Sequence, residues 1–449
     1  MFTFKPLYIT FFSLSVFSMP AVYAESTTLQ HMSDAQLAET TGQALMSLSY
    51  IGPADVTNLE SKRLGGDKNI GFYKLGLEAD LAINANIKKL QLGCGGINGA
   101  GSCDIDIDNF SLSGNATTRE GRASSDAILT NPFIEFAIRN PDSASQREIV
   151  GLRLSAEKAV GLLTFGTDNG ITPNGINSLS GYMELASAKG NAMTQERTMD
   201  GATFGAMTGK VNVCLSGRIC INNNPMSSTD YILQLRSAAA SFVTDPAIVN
   251  GKRLSSVQLT GKADIAPIVF ECATTAGCMK AKVTVFGFIP VNIQTSVIGK
   301  LNNLKANVQV NQSLGLIHNI PVNGNAFSLS LQQQDIQWTS AAVKAQRGWW
   351  MAFESPIDIG DISPLNKVAI PNSTLAQVLP SVNSALNSNP IVCQLTQCFS
   401  GMLTIPDLFL GPDSNRPNIP QTYVDFPLNN QVLSKQGFAP NCYGSLKFC

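Results

Sequence analysis

Charge is scarce in this sequence: Asp, Glu, Lys and Arg make up 14% of its 449 residues, and 31 basic against 32 acidic side chains leave a net charge of −1. With no basic cluster, neither a nucleic-acid polyanion nor an anionic lipid surface finds an electrostatic handle. Histidine, the side chain that most readily titrates near neutral pH, occurs twice, as His31 and His318. His31 lies in the N-terminal segment. His318 sits in the apolar run Leu316 to Pro321, where a hydrogen-bonded structural imidazole fits better than a base. There is no G-x-S-x-G elbow, H-E-x-x-H or P-loop. No C-x-x-C is present either, and two histidines are too few for the usual zinc sets. Beyond the N-terminus no stretch reaches the roughly 20 unbroken apolar residues of a transmembrane helix. These absences point away from catalysis, from a cofactor or metal, and from a membrane-spanning helix.

What is present begins with a three-part N-terminus: Lys5, an apolar run from Leu7 to Phe17, and Ala21-Val22-Tyr23-Ala24, the layout of a secretory signal peptide over residues 1–24. Downstream, all ten cysteines fall as close pairs: Cys94 with Cys103, Cys214 with Cys220, Cys272 with Cys278, Cys393 with Cys398, and Cys442 with Cys449. In an oxidising compartment this spacing reads as five local disulfides, each pinching a turn or hairpin end.

The hydrophobic period divides the chain. In residues 25–43 Ser33 opens a capping box with Gln36, Ala35, Leu37 and Ala38 favour helix, and Gly42 can end it, so one short helix is expected. From Phe72 the period becomes two, with Leu75, Leu77, Ala79, Leu81, Ile83, Ala85 and Ile87 on one side, which predicts a single long half-buried strand. Alternation recurs at Ile105/Ile107, Ile134/Phe136/Ile138, Val150/Leu152/Leu154/Ala156 and Met183/Leu185, with turn residues between. The strand signal lapses from Asp245 to Arg253 and resumes at Val257, so a boundary is expected there, separating β domains 44–245 and 246–449. Leu375, Val378, Leu379, Val382 and Leu386 fall at helical spacing despite Pro380. The tail from Thr404 is rich in Pro, Asn and Gly, anchored by the last cysteine pair. The expected class is all-β: elongated, mainly antiparallel sheets, sandwich-like or an irregular solenoid, with the short N-terminal helix and one helix in the C-terminal half.

Two clusters invite a functional reading. Asp104, Asp106 and Asp108 alternate with Ile105 and Ile107 and can be read as a Ca²⁺ site. Asn109 stands where an EF-hand-like loop requires glycine, however, and Asn115 where it requires the bidentate glutamate, which favours a solvated strand face. Arg347, Trp349 and Trp350 form a possible binding surface, since adjacent strand residues face opposite ways and one tryptophan can be exposed while the other fills the core. Burial of both is the competing reading.

Met32, Gln36, Leu37 and Gly42, at their spacing, resemble a double-glycine leader of the kind read by C39-type cysteine peptidases. Gln43 replaces the second glycine and Thr40 the usual aliphatic residue, so the resemblance implies recognition more than cleavage. Together with Thr41 to Tyr50, Gly71 to Leu75 and Arg347 to Met351, the chain resembles the FilA-type pilus-system proteins of Gram-negative bacteria. That resemblance implies a non-enzymatic role in an envelope pilus or fibre system, in assembly or surface binding through sheet faces and edges. Its implied partners are other pilus-system proteins, with a C39-family peptidase-like protein among the candidates, in a homo- or hetero-oligomer. The implied location is the periplasm, the outer-membrane surface or the cell exterior. The alternative is a lipid- or small-ligand-binding envelope protein, with the apolar runs from Val283 to Val322 lining a groove.

Overall fold

A computed structural model describes residues 46–216, 219–273, 277–437 and 439–441. The signal-like segment, the leader-like residues Met32, Gln36, Leu37, Gly42 and Gln43 with the helix expected around them, and Cys442 and Cys449 lie outside the described residues.

The fold is all-β, and the described residues form three mainly antiparallel sheets. The largest has twelve strands: β1 (Met46–Ile51), β2 (Ile70–Leu77), β3 (Asp80–Ile83), β4 (Ala85–Leu92), β5 (Ile105–Ser113), β6 (Ala127–Arg139), β7 (Glu148–Thr164), β8 (Ile176–Leu185), β9 (Ala247–Leu254), β10 (Asn319–Asn325), β11 (Phe327–Gln332) and β12 (Gly348–Phe353). Its main path runs β1-β2-β6-β7-β11-β12-β8-β5-β4, with β3 on β6, β9 on β8 and β10 on β7. A further β7–β5 pairing closes a five-strand circuit, β7-β11-β12-β8-β5, and β6, β2 and β1 continue the sheet outward from it. A nine-stranded sheet is built around Ile219–Leu235 and Ile289–Asn302, and a five-stranded sheet around Ser256–Ile265 and Lys305–Ser313.

The boundary expected between residues 245 and 246 is not a division of the structure. The described residues form one compact unit, β9 pairs directly with β8, and β11 and β12 sit in mid-sheet between β7 and β8. Strands distant in sequence are thus sheet neighbours, unlike the stacked sequential units of a solenoid. Where β12 passes β8 the backbones approach so closely that a Cβ on Gly181 would stand 2.1 Å from the Met351 carbonyl oxygen, which accounts for the glycine.

The long strand expected from Phe72 to Ile87 is instead three strands. β2 and β3 both lie along β6, on either side of Asn131, whose φ of 47° is left-handed and whose N–H donates to the Ala79 carbonyl. Asn84 then turns the chain into β4, its side-chain amide donating to the carbonyls of Arg122 and Ser125. The expected C-terminal helix is present at Asn372–Ser388 and buries Leu375, Val378, Leu379, Val382 and Leu386.

Four of the expected disulfides are formed, Cys94–Cys103, Cys214–Cys220, Cys272–Cys278 and Cys393–Cys398. The second joins directly opposed residues of a hairpin, and the third joins the end of one strand to the start of another.

Candidate functional site: an apolar sheet face

The period-two alternation of β2, β6 and β7 is real, but apolar side chains fall on both sides, and the buried side also holds a charged pair. Glu135 and Arg153, opposed on β6 and β7, are almost fully buried and ion-paired, with an Arg153 Nε to Glu135 Oε2 distance of 2.8 Å. Thr339 completes the group: its carbonyl and hydroxyl oxygens accept from Arg153 Nη2, and its hydroxyl donates to Glu135 Oε1. A core of Phe72, Ala137, Val150, Trp338 and Trp350 adjoins this pair. The opposite face carries the larger aliphatic residues.

On that open face, register places apolar side chains in two straight rows across six strands. The first is Leu48, Leu75, Ile134, Leu154, Leu329 and Met351, and the second is Tyr50, Tyr73, Phe136, Leu152, Leu331 and Trp349. At about 4.8 Å between strands, each row spans about 24 Å. Exposure in the first row is 73% at Leu48, 37% at Leu75, 38% at Ile134 and 44% at Leu154, then falls to 3% at Met351, where the row enters the main core. No charged side chain belongs to either row. Tyr50 and Tyr73 stack with ring centroids 4.3 Å apart, ordering the outer end of the second row. Met46, Leu75, Leu77, Ile134, Leu154 and Leu329 are among the residues that line a groove of about 420 Å³.

The tryptophans divide as alternation requires. Trp350 is 1% exposed and belongs to the core, so it is removed from the binding surface expected with Arg347 and Trp349. Trp349 is half-buried and ends the second row, its N–H donating to Asp104 Oδ2 at 3.1 Å, while Arg347 beside it is exposed.

The three aspartates do not form one solvated face. Asp104 is buried and also accepts from Asn98 Nδ2 at 3.0 Å. Asp106 and Asp108 share Lys89, at 2.6 and 2.9 Å, and both accept from Asn177 Nδ2. Burial would raise the Asp106 pKa, but the hydrogen bonds from Lys89, Gln91 and Asn177 hold it below the usual carboxylate value. Among the described residues, no group of three or more His, Cys, Asp and Glu side chains could hold a metal ion.

His318 is fully buried, its Nδ1 3.0 Å from the Phe165 carbonyl oxygen. Burial lowers its pKa below the ordinary 6.5, partly offset by that contact and by Asp168. Above pH 6.5 both folded and unfolded chains hold a neutral imidazole. Below it the unfolded chain takes up a proton that the folded one resists, so stability falls with pH until the folded pKa is reached. Denaturant titrations at pH 7.5 and 5.5 should show this loss, and His318→Gln should shrink it.

Arg122, which the sequence did not single out, is buried and has its pKa lowered by burial to about 10. It donates to Ser111 Oγ and Ser113 Oγ, each at 2.9 Å, to Thr164 Oγ1 at 2.6 Å and to the Ala439 carbonyl at 2.9 Å. It thereby fastens the C-terminal segment to β5 and β7.

Of the run from Val283 to Val322, Val283, Ile293, Val297, Val308, Val310, Ile320 and Val322 are buried in the main core, while Phe286, Phe288 and Ile289 are exposed. Two cavities lie within that core, one of about 50 Å³ beneath the helix Asn372–Ser388 and one of about 60 Å³ bordered by the five-stranded sheet. An engineered cavity of about 150 Å³ admits benzene. Neither cavity, as it stands, has room for an acyl chain.

Comparison of the chain with family models, with curated proteins and with solved structures returns no match. Among the described residues no helix is long and apolar enough to cross a membrane, and the four disulfides fit an oxidising compartment.

Proposed function

We propose that this protein is a non-enzymatic component of a cell-envelope pilus or fibre system, and that it acts in assembly or surface binding through the open face of the twelve-stranded sheet and the edge strand β1. The observation that carries this reading is the uncharged apolar face: two apolar rows cross six strands in register and are open to solvent at Leu48, Tyr50, Leu75, Ile134, Leu154 and Leu331. Single exposed leucines are ordinary, but a contiguous apolar face crossing several strands marks a surface that a partner covers. The resemblance to FilA-type pilus-system proteins supplies the setting, outside the cytoplasm and among other pilus-system proteins.

The test substitutes Ile134→Lys and Leu154→Lys together. Ile134 and Leu154 are directly opposed and 38% and 44% exposed, so the two lysines repel and the isolated chain should lose about 1–2 kcal/mol while remaining folded, which circular dichroism checks. Two desolvated ammonium groups should nevertheless reduce co-isolation with cell-surface fibres by tenfold or more. A double variant that co-isolates like the parent overturns the proposal.

A further inference from the structure

The open face ends at β1, and this strand has an unusual symmetry. It lies at the end of the sheet path, and among the described residues it pairs with β2 alone. Its sequence runs Met46-Ser47-Leu48-Ser49-Tyr50-Ile51, with Met46, Leu48 and Tyr50 at 57%, 73% and 42% exposure. Edge strands are ordinarily guarded by charge, proline, bulges or a covering element. β1 contains no charged residue and no proline, and its register with β2 is unbroken. The apolar and serine residues from Met46 to Tyr50 read alike from either end.

We infer that β1 pairs antiparallel with β1 of a second copy of this chain, about a two-fold axis through Leu48. The inference rests on the sheet face and edge being a docking surface, and it names the partner at the edge. Directly opposed residues of an antiparallel pair project to the same face. With Leu48 opposite Leu48, Met46 stands opposite Tyr50 and Ser47 opposite Ser49, so apolar meets apolar on the groove side and hydroxyl meets hydroxyl on the other. A slip of one residue sets Leu48 against a serine, and moving the axis to Ser49 sets Met46 against Gly52 and Ser47 against Ile51, so the register centred on Leu48 is the best matched. In the symmetric register the Leu48 row of one copy continues into that of the other, and the Tyr50 row meets Met46. The two grooves then become one continuous apolar face. A two-fold contact is closed, so it makes a pair and not a filament. A six-residue edge is smaller than the roughly 800 Å² per partner of a standard interface, so the pair forms weakly and depends on concentration.

Cysteine cross-linking of the purified chain of residues 25–449 tests the register. Under mild oxidation Leu48→Cys should yield a disulfide-linked dimer at least tenfold faster than Ile171→Cys, a control in an exposed loop. Ser47→Cys and Ser49→Cys should each stay largely monomeric alone and link when mixed. Leu48→Lys, which sets two ammonium groups against each other on the axis, should sediment as a monomer where the parent dimerises. A Leu48→Cys rate no greater than the control, or Ser47→Cys linking to itself as readily, overturns the pairing. If Leu48→Cys fails while the Ile134→Lys and Leu154→Lys double variant still loses fibre association, the two-fold pairing falls and the docking face stands. If Leu48→Cys links and that double variant keeps its fibre association, the reverse holds.

Discussion

Full reduction of the chain lacking residues 1–24 is expected to lower its melting temperature by on the order of 10 °C. The four observed bridges join residues nine, six, six and five positions apart. On the chain-entropy account a loop this small restrains the unfolded state by about 2 kcal/mol, so the four together contribute roughly 8 kcal/mol. That is comparable with the entire net stability of a typical domain, about 5–15 kcal/mol. Secondary structure should survive reduction at low temperature, because the closed loops sit at strand ends and not across the cores. The loss should appear as a shift in the transition measured by circular dichroism with and without reductant. A reduced chain that melts within about 2 °C of the oxidised one would show that the bridges lock structure already determined without them.

The second large effect is expected at the pair beneath the apolar rows. Glu135→Ala should cost about 3–5 kcal/mol, because Arg153, 4% exposed at its side chain, is then left charged and without its carboxylate. Arg153→Ala should cost a similar amount. Replacing both, as Glu135→Leu with Arg153→Met, should recover much of the loss, since two apolar groups need neither desolvation of charge nor Thr339 as a partner. A double-mutant cycle followed by denaturant unfolding reads this directly. Single substitutions costing under about 1 kcal/mol would mean that water reaches the pair, and the inner side of this sheet would then not be closed.

The class of the fold, most of its strands and four cysteine pairs were legible in the sequence, because each depends on period and short-range spacing. The alternation at Ile134/Phe136/Ile138 and at Leu152/Leu154 marked β6 and β7, and the heptad-like spacing from Leu375 to Leu386 marked the helix despite Pro380. What could not be read was the side on which burial falls. Periodicity says that Ile134 and Glu135 face opposite ways, but not that Thr339, from a distant loop, closes over the glutamate. Local pattern gave no sign that β11 and β12 would insert into a sheet built from residues 46–185, and so the lapse at Asp245 to Arg253 looked like a domain boundary. Asn131 carried the break between β2 and β3, since asparagine tolerates a left-handed φ. Its effect falls on a partner strand some fifty residues away, beyond the reach of a local reading. Of the site itself, the sequence set Trp349 and Trp350 together and did not say which of them fills the core; burial takes Trp350 out of the surface. Leu48, Leu75, Ile134 and Leu154 were each read as half-buried strand residues or passed over, and only cross-strand register turns them into rows.

If the proposed docking holds, the open face is covered where the protein meets its partner. Hydroxyl-radical footprinting by mass spectrometry compares the isolated chain with chain recovered in envelope or fibre fractions. The account predicts strong labelling of Leu48, Leu75, Ile134 and Leu154 in isolation and at least a fivefold drop in the recovered material, with Ile171 labelled alike in both. Equal labelling of the four residues in the two samples would contradict it.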